Sequence, residues 1–292
     1  PARLMRLREK LLALEGLGIE RVLCLAFDQR LAAMPAETFI EDLLVARLGI
    51  RYLVIGDDFR FGHRRAGDFS MLIAAGQQYG FDVVDNHSYM IEGERVSSTR
   101  VRQALSWGDL ELAAQLLGRP YDMCGRVAHG DRRGRTLGFP TANIYLHRRA
   151  TPVYGVYAVV MSGPGLKLWP GVANVGRRPT VQGVREQLEV HLLDFQGDLY
   201  GKHVKVDFLH YLRPEQRFPS LDALRQQIQQ DEQDARNWFA ARGILQAPPS
   251  SPTPLPSRDK GASPSLPTPL PFREKGANPS SSVSLLQEQR SA

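Results

Sequence analysis

Cysteine is nearly missing from this sequence. Cys24 and Cys124 are the only two in 292 residues, they fall in different predicted units, and they lack metal-ligand spacing. A disulfide framework and a zinc site are thereby set aside, and both thiols are expected to be buried or incidental. Long apolar runs are missing too: none approaches the ~18 residues that a membrane-spanning helix needs. The opening stretch PARLMRLREK has no apolar core of the kind a secretory signal carries, so a cytoplasmic address is expected. No GK[ST] tripeptide occurs, which removes the Walker A loop and the fold built around it.

What is there suffices for two ordinary domains. With 42% hydrophobic and 23% charged residues over 292 positions, each has material for its own core. The net charge of +6 invites a nucleic-acid reading. Part of that charge is in the tail, where Arg258, Lys260, Arg273, Lys275 and Arg290 outnumber Asp259, Glu274 and Glu288. The basic clusters of the body lie beside glycines, in HGDRRGR and VGRRPT, a pattern that suits phosphate ligands at least as well as a DNA-tracking stripe.

Three regions follow from the hydrophobic rhythm. In residues 1–118, helical patterns alternate with short apolar runs. Leu4, Leu7, Leu11 and Leu14 share a helix face, RVLCLAF reads as a buried strand, and AETFIEDLLVARL reads as a helix with Pro35 at its first turn. YLVIGDD (strand), DFSMLIAAGQQY (helix) and FDVV (strand) complete the pattern of a parallel, doubly wound sheet. SSTRVRQAL and GDLELAAQLLG read as two short helices capped by Ser and Asp.

In residues 119–244 the rhythm becomes that of strands. MCGRVAH, TANIYL, GVYAVVM, WPGVANVG, REQLEVHLLDF and HVKVDFLHYL have no helices between them and predict a six-stranded antiparallel barrel. A helix after the cap Ser220 closes the unit, with Leu221, Leu224, Ile228, Ala235 and Trp238 at near-helical spacing. Residues 245–292 are Pro-rich, and PTPLPSRDKGASPS is nearly repeated as PTPLPFREKGANPS 15 residues on. Proline at every second or third position blocks helix and sheet alike, so a disordered tail is expected.

The candidate chemistry lies in loops and strand ends. GDDFRFGHRRAGD leaves a predicted parallel strand where α/β sheets bind ligands; Asp57 and Asp58 there are either contacts to a ligand or metal or members of Asx turns, with Asp68 capping the next helix. Ser97, Ser98 and Thr99, with Arg100 and Arg102, combine hydroxyls, free N–H groups and a positive helix end, an anion site or an ordinary cap. In HGDRRGRTLGFPTAN, glycine backbone can approach phosphates, while Thr141 and Asn143 on one strand face offer oxygens to a hard cation such as Mg²⁺. LEVHLLDF puts Glu189, His191 and Leu193 on one face and Leu188, Val190 and Leu192 on the other, with Glu189 a candidate proton acceptor.

In order along the chain, GDDFRFG, SSTRVR, LLGRPY, GRTLGFPTANI, GVYAV, GVANVGRRPT, LEVHLLDFQGDLYG and LRPEQRF resemble the bacterial bifunctional riboflavin kinase/FMN adenylyltransferases, the FAD synthetases. The likeness runs from Pro1 to about Arg242. It implies a Rossmann-like nucleotidyltransferase domain, here incomplete, followed by a riboflavin kinase barrel with a C-terminal helix. ATP would phosphorylate the ribityl 5′-hydroxyl of riboflavin to give FMN, and the first module would adenylylate FMN to FAD with release of pyrophosphate. By motif, Thr141 and Asn143 are the Mg²⁺-ATP ligands and Glu189 the base. Gly130, Gly134, Arg135, Gly138 and Pro140 fall in the nucleotide loop, and Asn174 and Arg178 lie near phosphates and flavin. Asp57, Ser98, Thr99 and Arg102 fall to the adenylyltransferase. The partners implied are small molecules, with neither nucleic acid nor membrane; the oligomeric state is left open.

One family motif is not found. The adenylyltransferase of this family opens with a strand and a loop of the G-x-F-D-G-x-H-x-G-H type, whose histidines bind ATP phosphates. This sequence begins at Pro1 without it, and His63 and His87 do not have its spacing. The expectation is a piece of a longer polypeptide that makes FMN but essentially no FAD, with unpaired sheet edges and exposed apolar surface. Two non-enzyme classes compete. A flavin-binding module would not need Glu189 opposite the Thr/Asn pair, and an RNA-binding barrel would interleave aromatics with arginines, whereas Phe139, Tyr154, Tyr157 and Phe195 stand apart from them in sequence.

Overall fold

The leucine-rich first segment forms the helix α1 (Leu7–Gly16), but the residue it buries is Glu9. Leu7 and Leu11 are exposed, contrary to the expected apolar face. In a computed structural model of the chain, the described residues are 1–56, 58–86, 89–129, 138–148, 150–180 and 183–244, with backbone only at 178–180 and 183–185. Asp57, His87 and the expected tail lie outside them.

After α1 come a short helix α2 (Gln29–Ala33) and a turn α3 (Ala36–Thr38) that continues as a π-wound helix, Phe39–Arg47. Pro35 is the N-cap of that helix, one position earlier than expected. Strand β1 (Tyr52–Ile55), helix α4 (Phe69–Tyr79) and strand β2 (Asp82–Asp85) form a parallel β-α-β unit. Asp68 caps α4 by accepting from Met71 N–H at 2.9 Å, and Gly80 closes it in the left-handed region at φ 75°. Ile40, Leu44, Phe61, Leu72, Ala75 and Phe81 make the core of this unit.

RVLCLAF does not form the expected strand. Among the described residues β1 and β2 pair only with each other, and Val22, Leu23, Leu25 and Phe27 are exposed. A parallel strand persists only when a neighbour takes its hydrogen bonds and both faces are covered, and neither condition is met here. Cys24 in this run is exposed, and Cys124 is partly buried; both are free.

A small hairpin, β3 (Met90–Ile91) and β4 (Glu94–Arg95), leads to α5 (Ser98–Ser106) and α6 (Leu110–Leu117). Ser97 and Asp109 cap these helices, as their sequence positions predict. Val101, Ala104, Leu105, Leu110 and Ala113 of the pair join the apolar cluster of the barrel that follows.

The barrel has the six strands expected: β5 (Tyr121–Ala128), β6 (Ala142–Tyr145), β7 (Gly155–Gly163), β8 (Leu166–Thr180), β9 (Gly183–Leu192) and β10 (His203–Arg213). They close in the order β10-β5-β6-β9-β8-β7, every pair antiparallel. Met123, Ile144, Val159, Ala173, Leu188, Val190 and Val206 are wholly buried inside, so the lumen is a packed core. Helix α7 (Leu221–Ala241), capped by Ser220, lies on the outside. It buries Ala235 and Phe239 against Ala158, Val160 and Leu193, while Leu221 at its start is exposed. Truncating Phe239 to Ala would cost about 3–5 kcal/mol.

Two ion pairs fasten α7 to the strands. Arg213 at the end of β10 holds Asp231 through two bonds of 2.7 Å, and Arg236 grips Asp194, just past β9, at 2.8 and 2.9 Å. The Arg236 guanidinium keeps the Asp194 carboxyl below its ordinary range. These contacts fix the outer wall of a cleft between α7 and the barrel.

Candidate active site

Register puts three polar residues in one row across three strands. Asn143 of β6 stands opposite Glu189 of β9, and Glu189 stands opposite Asn174 of β8. Directly opposed residues of an antiparallel pair present their side chains on the same face. Glu189 is therefore flanked by an amide on each side. Its strand neighbours Leu188 and Val190 point into the barrel core, as period two demands.

The row is wired from within. Gln187, two residues before Glu189 and buried, donates from Nε2 to Asn143 Oδ1 at 2.5 Å and to Glu189 Oε1 at 3.1 Å. Asn143 Nδ2 faces the Thr141 carbonyl at 3.4 Å. Asn174 Oδ1, by contrast, is buried with no hydrogen-bond partner among the described residues. An acceptor in that state costs free energy unless a donor reaches it.

Two clefts meet at this row. One, about 290 Å³, opens near the barrel mouth and is lined by Thr141, Asn143, Val190, Phe195 and Tyr200 among others. The other, about 370 Å³, lies between α7 and the outer face of β8 and β9; Asn174, Glu189, Glu215, Phe139, Phe218, Leu224 and Ile228 line it. Thr141 borders both. The segment between β10 and α7 folds across the second cleft and packs the Glu215 carboxylate against Gly176 of β8, where any Cβ would collide with it.

A family model described as riboflavin kinase matches residues 117–239, and one described as FAD synthetase matches residues 1–100. The bifunctional riboflavin kinase/FMN adenylyltransferase of Escherichia coli (strain K12) is 56% identical over 82% of this chain and 76% of its own length. That of Haemophilus influenzae is 49% identical over 82% and 78%. The chain belongs to the bifunctional riboflavin kinase/FMN adenylyltransferase family. A crystal structure described as a macrolide-efflux protein from Streptococcus pneumoniae is also similar, at 32% identity and a TM-score of 0.70, covering 80% of this chain and 76% of that one. No helix among the described residues is long and apolar enough to cross a membrane.

The residues assigned by the family's kinase motifs divide in three. Thr141, Asn143, Asn174 and Glu189 gather at the row, with Pro140 beside them on the first cleft. Gly138 ends the loop at φ 90°. Gly130, Gly134 and Arg135 lie outside the described residues, and only the backbone of Arg178 is described, opposite Arg185.

The adenylyltransferase set is elsewhere. Ser98 and Thr99 are exposed in the first turn of α5. Arg102 is engaged by backbone carbonyls: its Nε donates to Ala2 O at 2.7 Å and its Nη1 to Ser98 O at 3.0 Å. Arg100 is held by the carbonyls of Ile91 and Glu94 and by the Glu94 carboxylate at 2.9 Å. Asp58 pairs with Arg95 at 3.1 Å, and that guanidinium lowers its pKa.

Three residues at or beside this row carried no role in the motif reading: Gln187, His191 and Glu215. The first two share a strand face with Glu189 by simple alternation, and Glu215 sits inside LRPEQRF. Tyr154, against the expectation from its place in the sequence, does not stand apart from the arginines. The Arg177 guanidinium lies 4.8 Å from its ring centre, and both side chains bond the buried Glu186.

Proposed function

We propose that the barrel transfers the γ-phosphoryl group of ATP to the ribityl 5′-hydroxyl of riboflavin, giving FMN and ADP, and that residues 1–118 serve the adenylylation of FMN by a second ATP to FAD with release of pyrophosphate. The observation that carries the kinase reading is the row Asn143–Glu189–Asn174, standing where two clefts meet at Thr141. The cleft under α7 has aromatic and aliphatic walls with acceptors at one side, which suits a flat flavin ring and a polyol chain. The barrel-mouth cleft then takes the nucleotide.

Glu189 accepts the hydroxyl proton as the oxygen attacks, while Thr141 and Asn143 hold the phosphate end of the nucleotide. The orphaned Asn174 Oδ1 accepts from a ribityl hydroxyl and fixes the chain. Mg²⁺ would be held by the Thr141 hydroxyl and by the lone pair of Asn143 Oδ1 that the Gln187 bond leaves free, and when bound it would neutralise charge on the phosphates. Phosphoryl transfer asks a protein for positioning, charge stabilisation and one oriented base, and the row supplies those parts.

For adenylyl transfer, Ser98, Thr99 and the α5 N-terminus are the anion-binding elements. Arg102 joins them by exchanging the Ala2 carbonyl for a phosphate oxygen. Both substrates are small solutes of the cytoplasm, where we place the protein. Incubation with riboflavin and Mg-ATP, followed by chromatographic separation of riboflavin, FMN and FAD, tests the reading. Absence of FMN from a folded wild-type sample overturns it.

A further inference from the structure

His191 sits two residues beyond Glu189 on the same strand face, and its ring reaches back to the segment that carries Thr141. Its Nδ1 is 2.9 Å from the Pro140 carbonyl oxygen. A carbonyl only accepts, so Nδ1 carries the hydrogen and Nε2 faces the other way, toward Glu232 of α7 at 4.0 Å. The Phe139 ring packs edge-on against the imidazole, with centroids 5.5 Å apart. One side chain therefore touches the two residues preceding Thr141 and faces the helix that walls the flavin cleft.

This contact is a tertiary tether for residues 139–141. Before Gly138 the chain is a glycine-rich loop in sequence, and β6 pairing with β9 begins only at Ala142. Between them, residues 139–141 have no ladder bond to β9, and Thr141 borders both clefts. We infer that His191 is a positioning residue for phosphoryl transfer: it pins the Pro140 carbonyl and so sets the Thr141 hydroxyl at the meeting point of nucleotide and flavin. His191 also borders the cleft under α7; in this role it acts through Thr141, and the double variant separates that from direct contact with substrate. The inference rests on the kinase reading given above.

The test compares kcat and KM for Mg-ATP in wild type, His191→Ala, His191→Asn, Thr141→Ala and the Ala/Ala double variant. His191→Ala is expected to lower kcat/KM for Mg-ATP about five- to tenfold, the effect of losing one hydrogen bond of ordinary strength. His191→Asn keeps an N–H near the Nδ1 position and is expected to stay within about threefold of wild type. In the Thr141→Ala background, His191→Ala should cost less than about twofold, because a residue acting through Thr141 has nothing left to position. Should the alanine variant fail to fold, His191→Gln, which moves the donor by one methylene, replaces it with the same expectation.

Wild-type kinetics for His191→Ala overturn the inference. So does an Asn variant as impaired as Ala, or full additivity with Thr141→Ala. Failure of the kinase reading looks different: no FMN from wild type, or full turnover in Glu189→Gln.

Discussion

Glu9 and Arg148 form a buried ion pair, 2.5 Å between Oε2 and Nη2, that joins α1 to the segment just after β6. Burial by itself would raise the Glu9 pKa. The Arg6 backbone N–H, at 2.6 Å, and the Arg148 guanidinium overcome it and hold the carboxyl below its usual range. The Cys124 N–H of β5 adds a bond at 3.3 Å. Both side chains are nearly inaccessible, so removing one leaves an uncompensated charge.

Glu9→Gln is therefore expected to destabilise the fold by about 3–5 kcal/mol at pH 7, read by urea denaturation. A folded pKa held below the unfolded one contributes stability above the ordinary carboxylate value of about 4.3, lost as pH falls through the lower folded value. The gap between wild type and Glu9→Gln should close over that acidic range. A gap that persists unchanged to pH 3 would remove the ionised pair from the account.

Glu189→Gln preserves the size of the side chain in the Asn143–Glu189–Asn174 row and removes only its basicity. Kinase turnover should drop by roughly 10²- to 10⁴-fold, the range for loss of a general base. Thr141→Ala, in contrast, should mainly weaken use of Mg-ATP. Near-normal turnover in the Gln variant would return Glu189 to a surface carboxylate.

Gly176→Ala and Gly171→Ala, five residues apart on β8, should separate function from stability. A methyl at Gly176 meets the flexible end of Glu215, which can swing into the cleft under α7, so stability should change little while KM for riboflavin should rise several-fold. A methyl at Gly171 meets the His191 backbone carbonyl at 2.6 Å, which cannot move without disturbing β9. That variant should lose about 1–3 kcal/mol of stability, by the measure of overpacked cores. Equal melting temperatures for the two would refute the distinction.

Residues 248–292 have too few apolar side chains to build a core, and their repeats are proline-rich. Deleting them should leave FMN formation and the melting temperature nearly unchanged. A clear fall in melting temperature would show that the tail docks on the fold.

The barrel is legible in the sequence because its information is local. The six strands are short apolar or alternating runs that end at turn residues and need only antiparallel neighbours, so local pattern places MCGRVAH through HVKVDFLHYL. The caps Asp68, Ser97, Asp109 and Ser220 are legible for the same reason: each bonds a backbone N–H three residues away. The motifs name Thr141, Asn143, Asn174 and Glu189, but alternation along one strand cannot say which residue of another strand stands opposite. Register decides that row, and with it the bridging by Gln187 and the tether from His191 to Pro140. Tertiary structure also overrules local pattern at both ends of the scale of polarity. In α1 the leucine stripe predicts the buried face, yet Arg148, far along the chain, draws Glu9 inward. In RVLCLAF the strand propensity is strong, yet without a paired neighbour the apolar run lies exposed. Periodicity and capping are short-range and are written in the sequence; opposition across strands and capture of a charge are long-range, and only the folded chain brings those groups within bonding distance.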